Sequence, residues 1–116
     1  MKKLITLLAL TIPLTACEPI EQACTDDLRV SVSVEVVDEA GADVLDAVVQ
    51  FDAGSGPEDC QSYDGVHSCG MEIDGELDIL VSAPDFEDQI VSVIVERDAC
   101  HVISQDLVVD LLQLAP

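Results

Sequence analysis

Residues 30–37 read Val-Ser-Val-Ser-Val-Glu-Val-Val, and this stretch decides the fold class. Valine occupies every second position, and two serines and Glu35 stand between until Val37 ends the run. Successive side chains of a β-strand point to opposite faces, so the alternation predicts one apolar face toward a core and one largely polar face toward water. β-branched valine also favours strands.

The same pattern continues along the chain, because apolar residues recur at period two and turn residues separate the runs. Further runs lie at 44–51, on both sides of an Asp-Gly pair at 64–65, at 76–83, at 89–95 and at 101–111. Together they predict seven short strands, and no long window shows a helical period. Seven strands with regular turns in about 100 residues predict an all-β fold, a β-sandwich. Phe51 and Phe86 are expected to supply its aromatic core volume.

The N-terminus has the layout of a secretory signal peptide. Lys2 and Lys3 give it a positive start, and an apolar run follows from residue 4 to residue 14, interrupted by two threonines and Pro13. This run is far shorter than the roughly 20 residues that a membrane-spanning helix needs, which argues against a permanent transmembrane segment. Export would deliver the chain to an oxidising compartment.

Residues 14–17, Leu-Thr-Ala-Cys, resemble the lipobox of bacterial lipoproteins, in which a cysteine after small residues is acylated, for example with palmitate. Several acyl chains on one residue anchor a protein stably in a membrane. Glu18 stands where an Asp usually retains such lipoproteins in the inner membrane, so the resemblance favours the outer membrane. It implies a signal peptide at 1–16, lipidation at Cys17, a tether at 17–27 and a folded domain at 28–116.

Removal of the signal peptide would leave a strongly acidic chain. Arg29 and Arg97 would then oppose 24 Asp and Glu residues, which gives a formal net charge of −22. Such a surface repels phosphate backbones and anionic lipid head groups, so nucleic-acid binding and electrostatic membrane docking are disfavoured. The expected membrane contact is the lipid on Cys17. Solubility is the simplest interpretation of the acidity, and a cation-binding surface is the alternative.

The four remaining cysteines, at positions 24, 60, 69 and 100, form an even set and predict two disulfides. Four cysteines allow three pairings. Cys60 and Cys69 flank the hairpin signal Asp-Gly, so a bridge across this hairpin is our first choice. It leaves Cys24, before the first strand, to pair with Cys100, before the last one. A zinc site is the competing interpretation, but the spacings contain no close C-x-x-C pair.

Two stretches resemble carboxypeptidase regulatory-like domains: residues 36–49 (Val-Val-Asp-Glu-Ala-Gly-Ala-Asp-Val-Leu-Asp-Ala-Val-Val) and residues 75–86 (Gly-Glu-Leu-Asp-Ile-Leu-Val-Ser-Ala-Pro-Asp-Phe). The first is similar to the family's opening strand and glycine-containing turn, and the second to a later strand that ends in Ala, a turn and an aromatic residue. Asp43 stands where the family often has Pro, and Asp85 where it usually has Gly. That glycine commonly serves a positive φ, which Asp tolerates better than most residues. The resemblance implies a transthyretin-like, seven-stranded sandwich of immunoglobulin-like type with no catalytic role.

The chain offers little for catalysis. His67 and His101 are the only histidines, and each lies within two residues of a cysteine expected to be in a disulfide. This placement argues against a Cys-His nucleophile pair. The sequence has no G-x-S-x-G turn to position a serine and no Gly-rich phosphate loop. We therefore predict no enzyme activity, no catalytic residues and no cofactor.

Calcium prefers several carboxylate and carbonyl oxygens from a loop, and the chain has two acidic clusters. The first comprises Asp38, Glu39, Asp43 and Asp46, and the second Asp85, Glu87 and Asp88. Neither follows the D-x-[DN]-x-[DN]-G loop pattern, so the first four residues are only candidates and a solvated loop is the simpler interpretation.

Three functional hypotheses follow. The leading one is a non-enzymatic envelope module that binds or scaffolds another protein, through loops or a sheet edge. The second is a calcium-dependent adhesion or stabilisation module. The third is an accessory subunit of an envelope enzyme.

Overall fold

The computed structural model describes residues 24–115, which form two four-stranded β-sheets that pack on each other. The strands are β1 (Val30–Val37), β2 (Val48–Asp52), β3 (Pro57–Asp59), β4 (Gln61–Tyr63), β5 (Val66–Met71), β6 (Gly75–Ser82), β7 (Gln89–Val95) and β8 (Gln105–Asp110). The expected signal peptide, Cys17 and the tether up to residue 23 lie outside the described residues. Among the residues described, no helix is long and apolar enough to cross a membrane.

The first sheet has the strand order β4-β5-β1-β8, and the second has the order β3-β2-β6-β7. Neighbouring strands are antiparallel except β1 and β8, which run parallel with Val32 opposite Gln105 and Val37 opposite Asp110. A parallel pair needs a long crossover connection. Here the connection contains the whole second sheet, so the first and last strands of the described chain lie side by side.

The core consists of alternating residues from both sheets, as the sequence pattern predicts. Every second residue of β1 from Val32 to Val36 is buried, and so is every second residue of β6 from Leu77 to Val81. Phe51 is buried with them, while Phe86 is half-buried and packs against the same core. Each fully buried side chain of this size contributes about 1.5–3 kcal/mol, so these rows hold the two sheets together.

The predicted count of seven strands is wrong, because the described residues contain eight. The additional strand is β3, which pairs with β2 at a sheet edge and places Glu58 opposite Phe51. Its residues Pro-Glu-Asp are types that strands usually avoid, so they carry no strand signal. Pro57 is tolerated there because an edge strand needs hydrogen bonds on one side only.

Two strands are shorter than predicted. β2 begins at Val48 rather than at residue 44, since the N–H of Val44 donates to the C=O of Val36 at 2.9 Å in the preceding turn. β8 begins at Gln105 rather than at residue 101. The residues before it belong to a loop in which the N–H of Ile103 donates to the C=O of Glu96 at 2.7 Å.

Candidate functional site

Both predicted disulfides are present. Cys60–Cys69 joins residues 9 positions apart, and Cys24–Cys100 joins residues 76 positions apart. In the chain-entropy model the short loop contributes about 2.6 kcal/mol and the long loop about 4.5 kcal/mol to stability. The longer bridge ties the start of the described chain to the segment just before β8.

The Asp64-Gly65 pair forms the predicted hairpin turn between β4 and β5. Its two residues have φ of 54° and 82°, and Tyr63 lies opposite Val66. A two-residue turn with positive φ at both positions matches the right-handed twist of the strands it joins. The turn therefore sets the register that brings Cys60 beside Cys69.

The two ends of the sandwich differ in chemistry. At one end, named here the Cys24 end, residues 24–30, 71–75 and 96–104 meet. β1 runs from this end over roughly 25 Å to the other. That other end, named here the acidic end, comprises residues 38–47, 64–65, 83–88 and 110–115.

His101 is the centre of a hydrogen-bond network at the Cys24 end. Its Nδ1 lies 2.6 Å from Oε2 of Glu72, and its Nε2 lies 3.0 Å from Oγ1 of Thr25. The carboxylate of Asp98 accepts a hydrogen bond from the backbone N–H of His101 at 2.8 Å. His101 is only 7% exposed, so these contacts fix the ring and tie the residue after Cys24 to the chain just after β5.

Glu72 receives hydrogen bonds from three parts of the chain. Besides His101, the N–H of Arg29 donates to Oε2 at 2.9 Å and the N–H of Val102 donates to Oε1 at 3.2 Å. Desolvation alone would raise the pKa of Glu72, but the hydrogen bonds from Arg29, His101 and Val102 lower it below its usual value. The carboxylate therefore stays charged and holds the three segments together.

Both arginines of the described chain lie at this same end. Nε of Arg29 donates to Oδ2 of Asp27 at 2.9 Å, and Nε of Arg97 donates to Oδ1 of Asp74 at 3.3 Å. Hydrogen bonds from Thr25 and Arg29 hold the pKa of Asp27 far below its usual value. The Cys24 end thus contains both arginines of residues 24–115, each paired with a carboxylate, although acidic residues outnumber them there as well.

Thr25, His101 and Glu72 stand in the order hydroxyl, imidazole, carboxylate, which is also the order of a nucleophile triad. Here the carboxylate also binds two backbone N–H groups from separate segments, and little of the ring reaches solvent. We interpret the network as structural: it holds residues 24–27 against the rest of the sandwich. No local sequence pattern indicates this network, because its members lie 29 and 76 positions apart.

His67 lies on the core side of β5 and is 5% exposed. Its Nδ1 is 2.6 Å from Oγ of Ser62, which is its cross-strand neighbour in the hairpin. Burial lowers the pKa of His67, so the neutral imidazole is favoured in the folded protein. The pair stabilises the hairpin next to the Cys60–Cys69 bridge.

The four candidate calcium residues lie in the loop between β1 and β2, at the acidic end. Oδ1 of Asp38 accepts hydrogen bonds from the N–H groups of Ala40 and Ala42, both at 2.9 Å, which stabilises the turn. Within residues 24–115, no group of three or more His, Cys, Asp or Glu side chains is arranged to hold a metal ion. The fold therefore adds no support for the calcium hypothesis.

The second acidic cluster lies at the acidic end as well. The C=O of Asp85 accepts from the N–H of Leu114, and the N–H of Glu87 donates to the C=O of Leu112, both at 2.9 Å. Asp85 has a φ of 72°, a positive value that Asp tolerates better than most residues. The chain after β8 thus holds the loop at 83–88 in place.

Comparison of the chain with models of known protein families and with curated proteins found no match. What the protein does is therefore inferred from its own residues.

Proposed function

We propose that the protein is a non-enzymatic lipoprotein of the cell envelope that binds or scaffolds another envelope protein. The observation that carries the proposal is the Cys24–Cys100 disulfide, which fixes the chain to the sandwich seven residues after Cys17. Seven residues span at most about 25 Å. A lipid on Cys17 would therefore hold the Cys24 end close to the membrane, with the acidic end pointing away from it.

The arrangement of the histidines favours binding over catalysis. His101 and His67 are both nearly buried, and each is hydrogen-bonded to a neighbouring side chain. Two disulfides give the sandwich a rigid frame, and loops on a rigid frame are where binding residues usually lie. The loops at the acidic end are carried by this rigid frame, so they are candidate binding loops.

We also propose that the sandwich is of the carboxypeptidase regulatory-like, transthyretin-like type, within the immunoglobulin-like folds. The positive φ of Gly41, at 83°, and of Asp85, at 72°, supports this because the family has glycine turns at both places. Glu18 after the lipidated cysteine supports an outer-membrane location.

Labelling with radioactive palmitate tests the anchor. Expressed from its full sequence in a Gram-negative host, the wild-type protein should incorporate label and sediment with outer membranes. The Cys17→Ser variant should carry no label and be missing from that fraction. An unlabelled wild type, or equal labelling of the variant, would contradict lipidation at Cys17.

Photo-crosslinking in intact envelopes tests the binding role. The mature chain contains no lysine, so a photoreactive amino acid must replace the amine chemistry of ordinary crosslinkers. Suitable exposed positions are Leu45, Val48, Ile94 and Val108. At least one position should give a discrete adduct with another envelope protein, and the absence of adducts from all four would rule out a stable partner.

A further inference from the structure

We propose that the acidic end binds a cationic, amphipathic segment of the partner protein. The inference rests on the proposed function, because it names the location and the chemistry of the partner that the envelope module would bind.

Charge is unevenly distributed between the two ends. Arg29 and Arg97, the only Lys or Arg in residues 24–115, both lie at the Cys24 end and are paired with carboxylates there. The acidic end has no Lys or Arg and carries Asp38, Glu39, Asp43, Asp46, Asp64, Asp85, Glu87, Asp88 and Asp110. Carboxylates gathered without counter-charges repel one another, and a cationic ligand relieves that repulsion.

The acidic end also contains a shallow, wide-open cleft that apolar and acidic side chains line together. A volume of about 470 Å³ lies between the β1–β2 loop and Phe86, with Val44 and Leu45 on the loop side and the carboxylates of Asp38, Asp43 and Asp46 around them. Leu45 is 79% exposed, and Phe86 is half-buried. Exposed apolar side chains that charged residues surround are typical of protein interaction surfaces.

The walls of this cleft are preorganised by backbone hydrogen bonds. On one side, the N–H of Asp38 donates to the C=O of Ala42 and the N–H of Gly41 donates to the C=O of Asp38, both at 2.9 Å. On the other side, the N–H of Phe86 donates to the C=O of Ala83 at 3.2 Å. Loops that are already ordered lose less conformational entropy when a ligand binds.

Charge complementarity selects the occupant of the cleft. Lys or Arg side chains of a partner would meet Asp38, Asp43 and Asp46, and intervening apolar side chains would pack on Leu45 and Phe86. A second copy of the chain is disfavoured because each mature copy carries a net charge of −22. An anionic lipid surface is repelled for the same reason.

Titration calorimetry with a synthetic peptide of alternating Lys and Leu tests the charge component. The acylated protein is used whole, in neutral detergent micelles, with empty micelles as the blank. The Asp43→Asn/Asp46→Asn variant should weaken binding about three- to tenfold, because two exposed ion pairs are lost. The matched variant Glu35→Gln/Asp106→Asn removes the same formal charge from exposed residues of β1 and β8 and should change the affinity less than about twofold. Equal weakening by both variants would overturn the proposal.

A second pair of variants tests the apolar component. Leu45→Ser should weaken binding of the Lys-Leu peptide about threefold or more, whereas Val48→Ser, at a residue that is 53% exposed on a sheet face, should leave it unchanged. A peptide of alternating Lys and Ser should bind more weakly than the Lys-Leu peptide. Equal affinity for the two peptides would show that the cleft plays no part.

The crosslinking positions separate this inference from the proposed function. An adduct from position 45 but not from Val48 or Ile94 supports the acidic end as the docking surface. An adduct only from the sheet faces would overturn that location while the binding module itself stands. Absence of any adduct counts against the proposed function.

Discussion

Glu72 and His101 add non-covalent contacts to the Cys24–Cys100 disulfide. Both kinds of contact hold the start of the described chain on the sandwich. Glu72 has a φ of 56°, an unfavourable conformation for a residue with a side chain. This backbone conformation places the Glu72 carboxylate within hydrogen-bonding distance of His101 and of the backbone N–H of Val102. No local sequence pattern indicates this contact, because it depends on the loop before β8 folding back onto the end of β5.

Replacement of His101 tests whether its hydrogen-bond network stabilises the folded protein. His101→Leu removes the hydrogen bonds that the nearly buried His101 ring makes with Glu72 and Thr25. We expect the free energy of unfolding to fall by about 1–3 kcal/mol. Urea unfolding at neutral pH with both disulfides intact measures the change. An unchanged midpoint would mean that the network contributes nothing to holding the segment.

Replacement of His67 tests the effect of burial on its ionisation. The pKa of His67 is lowered from 6.5, so below that pH the unfolded chain binds more protons than the folded one. Stability is then fully present above about pH 6.5 and is lost as the pH falls through the folded-state pKa. In thermal unfolding between about pH 7 and pH 5, His67→Gln should show a smaller loss than wild type. Ser62→Ala, which keeps the imidazole, should retain the wild-type slope, and equal slopes for wild type and His67→Gln would contradict the assignment.

At the scale of the element, apolar residues at period two were enough to predict β1 and β6, because both strands bury one face against the other sheet. β3 could not be predicted in this way. All three of its residues are exposed, and only backbone pairing with β2 makes it a strand. The Asp64-Gly65 turn was predictable because its positive φ values demand particular residue types.

The close contact between β5 and β1 gives a prediction for Gly70. Gly70 has a φ of 83°, and a Cβ there would lie 3.3 Å from Cβ of Ser31, whose hydroxyl is hydrogen-bonded to Ile73. Gly70→Ala should therefore lower the free energy of unfolding by about 1–3 kcal/mol. Gly54→Ala is the matched control, because Gly54 also has positive φ but open space around the added Cβ. Equal losses in the two variants would show that the contact with Ser31 is unimportant.

At the scale of the whole molecule, composition predicts the net charge, and only the fold shows where the charge lies. The first acidic cluster and Asp85 are some 40 positions apart in sequence, yet Phe86 and the β1–β2 loop line one cleft. Disulfide pairing was predictable because Cys60 and Cys69 flank a hairpin signal, which left a single partner for Cys24.

The excess of carboxylates predicts that salt stabilises the folded protein. Unscreened repulsion between like charges destabilises a compact state, and the Debye length falls from about 30 Å at 0.01 M to about 3 Å at 1 M salt. The melting temperature in sodium chloride should therefore rise across this range at neutral pH. The Arg29→Gln/Arg97→Gln variant, which is still more acidic, should show a steeper rise. A melting temperature that falls with salt would contradict the account of the charge.

We propose above all that an acyl group on Cys17 and the Cys24–Cys100 bond together hold one end of the sandwich at the membrane. Mass spectrometry of the protein extracted from membranes and digested without reduction tests it most directly. The account predicts an N-terminal peptide that begins at acylated Cys17, together with Cys24 linked to Cys100 and Cys60 linked to Cys69. A mature chain with an unmodified Cys17, or with free thiols at Cys24 and Cys100, would contradict it.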